Sequence, residues 1–86
     1  MNTLRALKAN RKTYRMVQGM RPSTIKAACR YIDGLLEIDV KITQREISDI
    51  HNVTETAIVY AWRKIAKLLN LYFFLTYIEP LTVSWR

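Results

Sequence analysis

Two stretches of this sequence set apolar residues three and four positions apart, and that spacing governs what the chain can fold into. Ile25, Ala28, Cys29, Ile32, Leu35 and Leu36 form the first stripe; Ile58, Ala61, Trp62, Ile65, Leu68 and Leu69 form the second. Residues so spaced share one face of an α-helix, so each stretch is an amphipathic helix that must bury its stripe against a partner. Two Gly and two Pro in 86 residues leave few breakpoints for a many-stranded sheet. The expected fold is therefore mainly α, a small helical bundle, built as one domain near the lower size limit for a single hydrophobic core.

The first stripe predicts a helix from residue 23 or 24 to 36, entered through the stop and restart of Gly19 and Arg21-Pro22-Ser23. A Gly suits the position just past a helix end, and the residue before a Pro avoids the helical region. Ahead of it, residues 3–18 read as one helix capped by Thr3, or as two shorter pieces, since Asn10 and Thr13 are weak helix residues. Residues 37–41 read as a short polar connection. Thr43-Gln44-Arg45-Glu46 then has the form of a capping box opening a short helix over 44–51, with Ile47 and Ile50 as its apolar residues. Asn52 tolerates the left-handed backbone of a tight turn, Val53 is a buried plug, and Thr54 caps the helix of the second stripe, expected over 55–69. A short capped helix, a tight turn and a longer helix with a polar N-terminal face are the sequence form of a helix-turn-helix. The tail, 70–86, is strongly apolar but too short to span a bilayer. It either extends the last helix or forms a hairpin whose second strand is 81–85, and it reads as core cover or a dimer surface.

The charge is uneven. Residues 1–30 carry eight basic side chains and no acid, which places most of the net +7 in the N-terminal third. That balance suggests a polyanionic partner, with nucleic acid preferred to a membrane surface. The organisation is thus a basic N-terminal helix or arm (1–20), a helical core with the helix-turn-helix at 43–69 (21–69), and the apolar tail (70–86). One Cys and one His exclude a disulfide framework and make a zinc site improbable. No Cys/His pair, facing carboxylates or phosphate-cradling loop points to an enzyme, and no cofactor is expected. Cys29 reads as a small buried hydrophobe. The chain starts without a signal-peptide pattern, so an intracellular setting is expected.

Residues 43–58, TQREISDIHNVTETAI, resemble the helix-turn-helix of the second cyclin-like repeat of archaeal transcription factor B, in the transcription factor IIB family. Residues 21–32, RPSTIKAACRYI, are similar to an upstream helix of that repeat, in the family's order and about its spacing. The resemblance covers about residues 14–69. It implies a shortened cyclin-like repeat without a zinc ribbon, whose helix-turn-helix enters the DNA major groove, and an archaeal or archaeal-virus setting. The family's base-reading Val and Arg align with Thr56 and Val59, so the guanine-reading Arg is absent and another sequence preference is expected. Asn52 stands at the usual turn glycine.

The expected function is a DNA-binding transcriptional regulator. Thr56, Val59, Tyr60 and Glu55 are the candidate base contacts; Gln44, Arg45, Thr54, Arg63, Lys64, Lys67 and, from the N-terminal segment, Arg11, Lys12 and Arg15 are the candidate phosphate contacts. For each basic residue an ordinary solvated charge is the alternative, and Thr54 is first a cap. Expected partners are double-stranded DNA, a second copy of the chain through the C-terminal tail, and host transcription machinery; no membrane is expected. The competing reading is a protein-interaction module docking on the archaeal transcription initiation machinery.

Overall fold

The computed structural model describes residues 2–36 and 43–82, with side chains as far as Tyr77 on the last helix. The polar connection at 37–41 lies outside the described residues, as do the last positions of the tail. Among the described residues six helices follow one another: α1 (Thr3–Ala9), α2 (Arg11–Arg15), α3 (Pro22–Leu36), α4 (Gln44–His51), α5 (Glu55–Leu68) and α6 (Tyr72–Thr82). Among the described residues there is no strand, and the fold is the expected small mainly-α bundle.

The N-terminal segment is two helices rather than one. Asn10 has an extended backbone, and its side-chain oxygen accepts from the N–H groups of Lys12 and Thr13 at 3.0 and 3.3 Å. It thus ends α1 and caps α2, the local competition that disfavours Asn inside helices. The cap of α1 is Asn2, which accepts from the Arg5 N–H at 3.0 Å, and not Thr3 as its residue type suggested. Thr3 is fully buried inside the helix. Its N–H and hydroxyl both donate to Asp33 Oδ1, at 2.9 and 2.5 Å, and lock α1 to α3. Gly19 does not take a left-handed backbone; it lies in a turn beyond α2, with open space where a Cβ would stand.

α3 is the centre of the bundle. Pro22 occupies its first turn, where a missing N–H costs nothing. The expected stripe is buried through Leu35, and Ala27 and Tyr31 are buried beside it, because α3 packs on α1 on one side and on α4, α5 and α6 elsewhere. Trp62, the largest buried side chain, comes from α5. Its ring lies 5.6 Å from Tyr31 and 6.4 Å from Tyr72. Its Nε1 has no hydrogen-bond partner among the described residues. Cys29 is buried, as expected. Burial pushes its thiol up to about 12, with Asp33 adding to the rise and Lys8 opposing it.

The α4–turn–α5 unit forms through local bonds. Thr43 Oγ1 accepts from the Glu46 N–H at 3.1 Å while the Glu46 carboxylate accepts from the Thr43 N–H at 3.3 Å, completing the capping box. Asn52 is left-handed at φ 55°. The Val53 N–H returns to the Ser48 carbonyl at 3.2 Å, and the Ser48 hydroxyl donates to the Val53 carbonyl. Thr54 caps α5 by accepting from the Ala57 N–H at 3.2 Å. Val53, expected as a buried plug, is only half-buried against the core; Ile47 is buried, and Ile50 is 70% exposed. α4 is only eight residues long, and Ile50, rotated about 60° from Ile47, falls outside its footprint on α3 and α5.

Over its described residues the tail neither extends α5 nor forms a hairpin. Asn70 is left-handed at φ 59°, and the Leu71 N–H reaches back to the Ala66 carbonyl at 2.8 Å, a Schellman stop. α6 then begins, with Leu75 fully buried and Leu71 and Tyr72 packed against the core. Residues 81 and 82, assigned to a second strand by sequence, belong to this helix; the rest of that strand lies outside the described residues.

Candidate nucleic-acid interface

Opposite its buried stripe, α5 presents Thr56, Val59, Tyr60, Arg63, Lys64 and Lys67 at the three- and four-residue spacing of a single face. With Glu55 and with Gln44 from α4, these residues line an open groove of about 820 Å³. From Thr56 to Lys67 the face runs about 16 Å at 1.5 Å per residue, and a helix with its side chains is about 10–12 Å across, close to the ~12 Å width of the major groove. Glu55 stands at the helix N-terminus and the three cations towards its C-terminus, the arrangement the helix dipole favours. Tyr60 is 66% exposed. Thr56, Arg63 and Lys67 are exposed, and Val59, Lys64 and Glu55 half-buried.

Two of the cations are steered by aromatic faces. The Arg63 guanidinium carbon lies 5.9 Å from the Trp62 ring centroid, and Lys67 Nζ lies 4.8 Å from that of Tyr72. Such contacts restrain long side chains that would otherwise sample many rotamers. The role of Tyr72 is absent from any sequence-level reading, since it depends on α6 folding back.

The remaining candidates divide. Gln44 lines the groove, and its amide donates to the Tyr31 hydroxyl at 3.4 Å, so it also ties α4 to α3. Arg45 is exposed and does not line the groove. Thr54, engaged as a cap, borders a smaller hollow of about 350 Å³ shared with Arg21, Ser23, Thr24 and the turn. Arg21 is thus a cation beside the α4–α5 turn that sequence order alone separates from it. Arg11 and Arg15 flank a third hollow of about 330 Å³ with Lys8 and Tyr14, and Lys12 is exposed nearby in sequence. This basic surface belongs to α1 and α2 and shares no lining residue with the groove on α5.

Among the described residues no group of His, Cys, Asp and Glu is placed to hold a metal, and no helix is long and apolar enough to cross a membrane.

In this helical bundle a capped short helix and a left-handed Asn turn present a longer helix whose grooved face carries three cations. The chain belongs to the transcription factor TFIIB repeat family, whose sequence model matches residues 4–68. The match runs from α1 to the last residue of α5 and excludes α6. It therefore takes in the N-terminal basic segment, ahead of the residues 14–69 that carry the resemblance. Comparison with curated proteins and with solved structures returned no match.

Proposed function

We propose that this transcription-related repeat is a DNA-binding regulator that lays α5 in the major groove. The observation that carries the reading is the single groove on α5, where the exposed polar and aromatic residues sit beside three cations. Thr56, Tyr60 and Glu55 meet base edges, and Val59 meets a thymine methyl. Arg63, Lys64 and Lys67 meet phosphates along the groove wall, and Thr54 adds the positive end of the helix. Gln44 and Arg45 touch the backbone at the groove edge. Arg11, Lys12 and Arg15 contribute long-range attraction from their separate surface. Val59 stands where the resemblance places an Arg, so the preferred site differs from the family's usual element. As a transcription-factor repeat acting on DNA, the chain works inside the cell and needs no catalytic group.

Selection from a random duplex pool tests the reading. Enrichment of a defined motif, with affinity falling steeply as salt rises, is expected; no enrichment and no shift at low salt would refute it. A second reading, docking on the archaeal initiation machinery, is favoured by Val59 and Tyr60 at the middle of the groove, since both suit a protein surface. Retention of TATA-binding protein or polymerase on the immobilised chain, without a DNA shift, would select it.

A further inference from the structure

We infer that α6 is a self-association surface, and that two copies of the chain pair across a two-fold axis through Phe73, Phe74 and Tyr77. These side chains are 87%, 55% and 75% exposed, although the opposite side of the same helix is anchored by buried Leu75. A fully buried aromatic covers roughly 200 Å², so the three leave about 430 Å² of ring surface open on each copy and about 870 Å² across a pair. Stable interfaces start at about 1,200 Å², which makes this a weak, concentration-dependent dimer.

The occupant follows from charge. Residues 68–78 contain no charged side chain, in a sequence where 24% of positions are charged. Apart from Lys67 on the neighbouring Tyr72 ring, the face offers a polyanion no charge, and its exposed rings suit an apolar partner. Between two copies of a chain of net charge +7, a contact through these uncharged rings brings few like charges together, and an isologous contact is self-complementary by symmetry. The exposed aromatics span one helical turn, a footprint suited to two helices crossing at an angle rather than running side by side. α6 lies outside both the groove lining and the family match, so pairing there leaves the α5 face open. This inference does not depend on the DNA reading.

Sedimentation velocity of the full chain without DNA, from about 1 to about 100 µM, tests it. The wild type is expected to shift towards a dimer as concentration rises, more so at higher salt, which screens the like charges. The Phe73→Glu/Tyr77→Glu variant is expected to stay monomeric with unchanged helical circular dichroism. Should it unfold, Phe73→Ser/Tyr77→Ser is the decisive variant, expected to weaken dimerisation at least about tenfold. A wild type that remains monomeric over the whole range, or folded variants that dimerise as the wild type does, would overturn the proposal. DNA affinity weakens with salt while this association strengthens, so the two readings fail separately.

Discussion

At Trp62 the core places its largest ring between Tyr31 and Tyr72 while leaving the indole N–H without a partner among the described residues. Trp62→Ala is expected to cost about 3–5 kcal/mol through the cavity it opens. Trp62→Phe removes the orphaned donor together with the lost area and is expected to cost less than about 2 kcal/mol; urea midpoints compare the two. Cys29 gives a pH prediction. Its folded thiol is held at about 12, against an ordinary value of 9.0, so the native state keeps the proton over a range where the unfolded chain loses it. Stability is full below pH 9 and falls as pH rises towards 12, at up to about 1.4 kcal/mol per pH unit. Unfolding of wild type and Cys29→Ala at stepped pH isolates this slope from that of the tyrosines and lysines; equal slopes would contradict the assignment. Gly19, with open space around it and no positive φ, is expected to accept Ala with a gain of about 0.4–1 kcal/mol.

Helix ends decide which elements form. Asn52 and Asn70 both take left-handed backbones, and each is followed by an apolar residue whose N–H returns to a carbonyl five residues back. Asn70→Ala is expected to cost about 1–2 kcal/mol, and Asn70→Gly close to nothing, as read from thermal midpoints. The bounds of α4 were legible in sequence because a capping box and a left-handed Asn are bonds within a few residues. The start of α5 was equally legible, through its Thr54 cap. α6 was not legible. Leu71, Tyr72 and Leu75 make one helical face and Phe73, Phe74 and Tyr77 the other, so apolar residues on both sides conceal the period, and aromatic content points to strands. The Asn70-Leu71 stop repeats Asn52-Val53 and was the available signal. The place of Thr3 is hidden for a different reason: its partner Asp33 is 30 positions away, beyond any local rule. The face of α5 could be read because it is the complement of a clear stripe, whereas Lys67 resting on Tyr72 needed the tertiary fold.

Among the described residues of the molecule, three cations line the α5 groove and three line the hollow on the α1–α2 face. Removing a phosphate contact from the first should weaken binding to all sequences alike. Arg63→Ala and Lys67→Ala are each expected to reduce the salt dependence of affinity by about 0.9 in log–log slope. Thr56→Ala and Tyr60→Ala are expected instead to relax preference at particular base pairs, by about 1–3 kcal/mol each. Charge on α2 should act on the rate of encounter more than on sequence preference.

The most direct test of the α5 groove as the DNA surface is a titration of isotopically labelled chain with a selected duplex, followed by amide and side-chain NMR shifts. Perturbations concentrated on Thr56, Val59, Tyr60, Arg63, Lys64 and Lys67, with Phe73 and Tyr77 unmoved, are the expected result. Shifts confined to Lys8, Arg11 and Arg15, or to α6, would contradict it.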